Sequence, residues 1–314
     1  MRVVFHFAAG AELAAQLVAQ QANSLDVVVV AENDEAGLAA ALADAEVLWH
    51  VLKPCTAAVI GAAPKLRLIQ KIGVGVNTID LDAARARGIA VCNLPGTNAP
   101  AVAELTLALM LSTLRRLPAF DAATRGGHGW TLDPAMQDGL GELGGKTVGL
   151  IGYGAIPRTL APVLVALGCR VIYTARGPHA DAPDGYRPLN ALLADADIIS
   201  LHVPLTGETN RLIGRDALAR MKRGAILINT ARGGLVDPAA LVDALRSRQL
   251  AAAGLDVFEA EPADPADPLL ALPNVVLTPH IGWLTAETFA RSFSVAAENC
   301  RRLAAGEPLL HQVA

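Results

Sequence analysis

The sequence predicts an α/β protein of two doubly wound parallel-sheet domains. Three observations predict it: the length, a strand–helix alternation that runs twice, and one glycine turn set between a strand and a helix. At 314 residues the chain is long for one hydrophobic core and divides more readily into two. Hydrophobic residues make up 53% and charged residues 18%, so the core is ample and the chain is not a disordered one. Aromatic residues are only 4%, which leaves the packing to Ala, Val, Leu and Ile.

The first hundred residues alternate strand-like runs (3–7, 27–31, 47–51, 66–72 and 89–92) with Ala-rich helical stretches such as 12–20 and 81–87. Gly88 follows the latter as a helix cap. This alternation predicts a parallel sheet with helices on both faces. A long helix is expected at 101–117, ended by Pro118. It is apolar almost all round, Glu104 excepted, and so is buried between layers or domains. The stretch from Gly126 to Gly145 is Gly-rich and irregular and holds Trp130. A second series then gives strands at 148–151, 170–173, 198–202, 225–229, 254–257 and 275–277. Six strands with short crossovers match a dinucleotide-binding domain. The last helix, 285–305, ends at Gly306 and folds back on the first domain. The segments DAPDGYRP and EAEPADPADP read as exposed turns. The division is therefore a substrate domain at 1–98 and 286–314 and a dinucleotide-binding domain at 99–285.

Net charge is −4 with no basic stripe, which argues against a nucleic-acid partner. No apolar run is long enough for a bilayer, so no membrane partner is expected. The start, MRVVFHFAAGAELAA, is interrupted by His6 and Glu12 and reads as a strand rather than a leader. Cys55, Cys92, Cys169 and Cys300 lack metal-ligand spacing, as do His6, His50, His128, His179 and His311. No metal is expected, and the thiols fit a reducing, cytoplasmic compartment.

The segment KTVGLIGYGAIPRTLAPVLVALGCRVIYTAR is strand, glycine turn, helix, strand. Gly152 makes the tight turn, Gly154 lets the backbone approach a pyrophosphate, and the helix from Ala155 aims its free N–H groups at that anion. Tyr153 and Ile156 complete the turn. Proline stands at the third fingerprint position, as Pro157; it is tolerated in a first helical turn, but the packing there must adjust. The next strand ends Tyr173-Thr174-Ala175-Arg176. The acid that would grip the ribose of NAD is absent, and a hydroxyl and a guanidinium stand there instead. Thr174 and Arg176 suit a 2′-phosphate, so NADP(H) is expected over NAD(H). The alternative is that Arg176 is a solvated loop charge.

Arg232, Glu261 and His280 each follow an expected strand, at 225–229, 255–258 and 275–277. Open α/β sheets carry their chemistry at the carboxyl ends of strands. An arginine, a carboxylate and an imidazole there supply an anion clamp, a partner that favours the protonated imidazole, and a proton donor.

The segments KIGVGVNTID, NAPAVAELTLALML, VGLIGYGAI, LHVPLT, INTARGGLVD, GLDVFEAEP and TPHIG, in that order, resemble the D-isomer-specific 2-hydroxyacid dehydrogenase family over nearly the whole chain. The resemblance is nearest to glyoxylate/hydroxypyruvate reductase-like members. It implies a flavodoxin-like substrate domain, a Rossmann-like dinucleotide domain and a homodimer with the long helix at its interface. It makes Arg232 the substrate-binding arginine, Glu261 the partner of the histidine, and His280 the acid/base. Val74 and Gly75 match the loop whose amides hold the substrate carboxylate. Asp256 matches a residue that meets the nicotinamide carboxamide. His202 and Pro204 fall in the adenosine-side loop, and Thr230, Ala231 and Gly282 are further cofactor contacts. Trp283 either narrows the pocket or packs on the first domain. Trp130 either reaches a neighbouring subunit's site or packs structurally.

The expected function is NADPH-dependent reduction of a small 2-ketoacid, glyoxylate or hydroxypyruvate, with His280 as proton donor. 3-Phosphoglycerate, D-lactate and bulkier substrates stay open. So does a nucleotide-sensing scaffold, because the family includes corepressors that keep the fold and the trio.

Overall fold

The computed structural model describes residues 1–131, 139–179, 182 and 185–314. Part of the Gly-rich stretch after Gly126 and part of the DAPDGYRP segment lie outside these residues. The chain divides into two compact units, Met1–Asn98 with Trp283–Ala314, and Ala99–Gly282.

The first unit is built on five strands: β1 (Arg2–His6), β2 (Asp26–Val30), β3 (Val47–His50), β4 (Leu68–Lys71) and β5 (Ala90–Cys92). They lie in the order β2-β1-β3-β4-β5, all parallel. Helices α1 (Ala11–Val18), α2 (Glu35–Leu42), α3 (Ala57–Gly61) and α4 (Leu81–Ala86) make the crossovers. Asp34, Thr56 and Asp80 cap α2, α3 and α4 by accepting from backbone N–H groups. α1 is shorter than the expected 12–20 helix. It tightens at Ala19 into a 3-10 turn that closes on Ser24 in the left-handed region.

The C-terminal helix, Ala286–Ala305, starts at a Thr285 cap and stops at Gly306, whose φ of 68° suits a glycine. Its apolar face belongs to the first unit. Phe293 meets Phe5 edge-on at 5.7 Å and stacks on Trp49 at 5.2 Å. Phe5, Trp49 and Phe293 are almost wholly buried, and burying such a ring stabilises by about 2–3 kcal/mol. The few aromatics of the chain are thus concentrated where the last helix must be held. Trp283 joins the same cluster, 5.6 Å from both Phe7 and Phe289, so it packs on the first unit.

The second unit begins with α5 (Ala99–Arg115) and α6 (Leu117–Arg125). Pro118 does not end the long helix, as the sequence reading had it. Arg116 breaks it in the left-handed region (φ 52°), and Pro118 sits in the first turn of α6, where a missing N–H costs nothing. The sheet follows: β6 (Thr147–Ile151), β7 (Arg170–Thr174), β8 (Ile198–Leu201), β9 (Ala225–Asn229), β10 (Leu250–Leu255) and β11 (Val275–Leu277). Their order is β11-β10-β9-β8-β6-β7, all parallel. Helices α7 (Ala155–Ala166), α8 (Leu189–Asp195), α9 (Arg215–Arg220) and α10 (Pro238–Arg246) connect the strands.

β10 is a correction. The apolar run from 254 to 258 pointed to a strand there, but the strand lies earlier, through LAAAGL, and ends at Leu255. Alanine is a poor strand former and hides the pattern; contact with β9 and β11 on both sides decides it. Winding reverses between β6 and β8, which are adjacent in the sheet while β7 lies on the far side of β6. Such a switch point is where doubly wound sheets bind ligands, at the carboxyl ends of the strands.

Among the described residues, no helix is long and apolar enough to cross a membrane.

Candidate active site

The glycine turn sits at the switch point. Gly152 has φ +99°, and a Cβ there would lie 2.5 Å from the carbonyl oxygen of His202, the residue that follows β8. Both torsion and space therefore require glycine, because the turn is pressed against the next loop. Gly154 caps α7 with nothing within 4 Å of where its Cβ would be, and no side chain caps that helix. The first-turn N–H groups of Ala155 and Ile156 thus face open space at the positive end of a helix dipole, which is an anion cradle. Pro157 is buried in that first turn, where proline is well tolerated. Tyr153 is buried and packs 4.4 Å from Tyr173, fixing the turn against β7.

Beyond β7, Thr174 is half-buried and Arg176 is exposed, and Arg176 has no ion pair among the described residues. His202 is held by Ser200, whose Oγ lies 2.9 Å from Nε2; burial pushes its imidazole down to about 3, so the ring is neutral. Its Nδ1 is shut off from solvent and has no protein partner among the described residues. Pro204 is exposed beside it. An open helix N-terminus, a glycine-only turn and a free guanidinium past the next strand fit a dinucleotide.

The trio occupies the same edge of the sheet. Arg232 follows β9 on a turn tied by Asn229, which donates from Nδ2 to the Arg232 carbonyl (2.9 Å) and accepts from the Ala231 N–H (3.0 Å). Thr230 is buried and shares a 2.9 Å hydrogen bond with Thr106 of α5. The Arg232 guanidinium is half-buried. Burial lowers its pKa, and the charge of Glu261 works in the opposite direction.

Glu261 and His280 are brought together. His280 Nδ1 lies 2.6 Å from Glu261 Oε2, while Oε1 accepts from the Phe258 N–H at 2.9 Å. Desolvation opposes ionisation of Glu261. The His280 hydrogen bond, the Phe258 N–H and the charges of His280 and Arg232 outweigh it and hold the carboxyl below its ordinary value. With Nδ1–H directed at a carboxylate, Nε2 is the nitrogen left for chemistry.

His280 sits at φ 56°, a left-handed conformation that needs support in a non-glycine residue. Asp256 supplies it. The His280 N–H donates to the Asp256 carbonyl (2.7 Å). The Asp256 carboxylate accepts from Thr278 Oγ1 (2.6 Å), the Ile281 N–H (2.9 Å) and the Gly282 N–H (2.9 Å). Both of its oxygens accept from the loop that carries the imidazole. The sequence reading did not give Asp256 this role, and it missed Asn229, Thr278 and Gly233. Gly233 is explained by space alone, since a Cβ there would meet the Phe258 carbonyl carbon at 1.9 Å.

In the first unit, Val74 and Gly75 form the loop after β4. Val74 is exposed, and its carbonyl accepts from Asn93 Nδ2 at 2.8 Å. Trp130 is 91% exposed, so it does not pack against the described residues of the chain.

Comparison with known proteins gives the family of the chain. The model for the D-isomer specific 2-hydroxyacid dehydrogenase NAD binding domain matches residues 107–282. A glyoxylate reductase of Aeropyrum pernix is 44% identical over 256 residues, 79% of this chain and 76% of that protein. A D-3-phosphoglycerate dehydrogenase of Mycobacterium tuberculosis is 41% identical over 303 residues, 94% of this chain. The matched part is 56% of that dehydrogenase. The crystal structure of the TT0316 protein from Thermus thermophilus superposes with a TM-score of 0.89 at 41% identity, covering all of both chains. By sequence and by fold, the chain belongs to the D-isomer specific 2-hydroxyacid dehydrogenase family of oxidoreductases.

Proposed function

We propose that the protein is an NADPH-dependent reductase of a small 2-ketoacid, glyoxylate or hydroxypyruvate, forming the D-2-hydroxyacid. The 2.6 Å pairing of His280 with Glu261 carries this reading. A carboxylate on Nδ1 fixes the orientation of the ring and leaves Nε2 for the substrate, so Nε2–H can deliver a proton to a ketone oxygen. Arg232 is the anchor for a substrate carboxylate, with its fork of donors. Val74 and Gly75 remain as backbone donors for a carboxylate. A nicotinamide dinucleotide, when bound, supplies the hydride.

Gly152, Tyr153, Gly154, Ala155 and Ile156 would hold the pyrophosphate, and Thr174 and Arg176 the 2′-phosphate. His202, Pro204, Thr230, Ala231 and Gly282 are assigned to the rest of the cofactor. Asp256 acts as the residue that positions His280. The unit that starts at Met1 is assigned to the substrate and Ala99–Gly282 to the cofactor. A second copy is the assigned macromolecular partner, supported by the apolar side chains exposed on and beyond α5, Leu111, Leu117 and Trp130. The cytoplasm is the assigned compartment, supported by four free cysteines. The choice of glyoxylate draws on the Aeropyrum relative's name. The test is a panel of 2-ketoacids assayed by NADPH oxidation, with NADH in parallel. Turnover confined to 3-phosphoglycerate oxidation would replace the substrate, and cofactor binding without any turnover would replace the activity.

A further inference from the structure

The opposite end of the second unit's sheet, where β6, β8, β9, β10 and β11 begin, holds a cavity of about 380 Å³. That volume lies in the range of small-molecule sites. Among the described residues five cations line it, Arg116, Lys146, Lys222, Arg223 and Arg248, against one carboxylate, Asp197. Asp197 is already engaged. Lys222 Nζ donates to one oxygen at 2.8 Å and the Thr147 N–H to the other at 2.8 Å. Among the described residues, Arg116, Lys146, Arg223 and Arg248 make no ion pair. A chain of net charge −4 therefore gathers around one hollow four cations without an ion pair among the described residues, of which Lys146 alone acts on the charge of Asp197.

Helix carboxyl ends collect at this edge of a parallel sheet and attract basic residues. That accounts for part of the cluster, since Arg116, Arg248 and Arg223 stand one, two and three residues past α5, α10 and α9. α5, α9 and α10 already carry Arg115, Arg220 and Arg246 in their own last turns, and Lys146 stands before a strand. A second feature is independent of charge. Arg116 and Arg248 have φ of 52° and 58°, in the left-handed region where glycine is the unstrained choice. At both positions an arginine is kept at a conformational cost, and both line the same cavity.

We propose that this cavity binds a phosphate-bearing small molecule. Arginine forks match phosphate oxygens in bidentate geometry. Leu114, Ile226, Val275 and Val276 give the hollow an apolar wall, which would take a compact organic body attached to the phosphate. The site is separate from the dinucleotide turn, which lies at the other ends of the same strands.

The test is calorimetric titration of the full chain with inorganic pyrophosphate at low ionic strength, with the nucleotide site saturated by NADPH or NADH. One saturable site is expected. In Arg116→Gly/Arg248→Gly the affinity should fall by about tenfold or more, while the thermal midpoint without pyrophosphate stays level or rises, since glycine relaxes both backbones. Arg223→Gln, on an exposed turn, should also weaken binding and guards against misfolding of the double variant. No saturable binding to the wild-type chain, or equal affinity in the variants, overturns the proposal. Loss of self-association in the variants, with no pyrophosphate binding to the wild type, would assign the cations to a second copy and also overturn it.

Discussion

Gly233 and Phe258 are packed backbone against backbone: a Cβ on Gly233 would lie 1.9 Å from the Phe258 carbonyl carbon and 2.1 Å from its oxygen. This contact joins the turn that carries Arg232 to the loop that carries Glu261. Gly233→Ala must push the two apart. The Phe258 N–H holds Glu261 Oε1, so the displacement reaches the pairing with His280. Turnover should fall by about 10²-fold or more, with a smaller loss of stability than a core substitution. Steady-state kinetics with thermal melts check it, and unchanged kcat would contradict the coupling of the two loops.

His280→Ala removes the proposed proton donor. Its kcat should fall by about 10²–10⁴-fold, while circular dichroism and dinucleotide binding stay close to wild type. Near-normal turnover would remove His280 from the chemistry.

Glu261→Gln keeps the size and a hydrogen-bond acceptor but removes the charge. The charged partner that orients the imidazole is lost, so kcat should fall by about tenfold or more. Steady-state kinetics check this, and an unchanged kcat would contradict the pairing's role. Because Glu261 itself is held below the ordinary carboxylate range, the wild-type pair should persist into mildly acidic solution.

Much of this site was legible in the sequence. Charged residues following apolar runs, and a glycine turn with its strand and helix, carry their meaning locally. The supporting residues do not. Asp256 reads as an acid at a strand end facing a ligand, and only the folded loop brings Thr278, Ile281 and Gly282 onto its oxygens. Gly233 looks like one glycine of an ordinary pair, and its need for space arises from a segment 25 residues on. β10 was hidden because alanines pack in a strand only when neighbours on both sides hold them. Pro118 was read as a stop because its helix-starting role depends on the break at Arg116.

Acid should weaken the first unit through His50. This imidazole is fully buried on β3, the strand between β1 and β4, its Nε2 2.7 Å from the Lys53 carbonyl. Burial, then Lys71, pushes it down to about 3 from 6.5. The unfolded chain therefore takes up a proton near pH 6.5 that the folded chain refuses until about pH 3. Stability is present above the unfolded value and is lost as pH falls through that window, to a limit on the order of a few kcal/mol. Urea midpoints across pH should fall less steeply for His50→Gln than for the wild type. Equal slopes would contradict the assignment. His202, also pushed to about 3, keeps part of the slope in both proteins.

With Arg176 proposed to hold the 2′-phosphate, Arg176→Ala should lower kcat/KM for NADPH by about tenfold or more and leave that for NADH nearly unchanged. An unchanged cofactor ratio would make Arg176 a solvated loop charge.

The central claim is tested most directly by following NADPH oxidation with glyoxylate, hydroxypyruvate and a series of larger 2-ketoacids, in the wild type and in His280→Ala. Rapid turnover of a small 2-ketoacid, faster in kcat/KM with NADPH than with NADH and abolished in the variant, is the predicted result. Cofactor binding with no turnover of any 2-ketoacid, or turnover that survives the loss of His280, would contradict it.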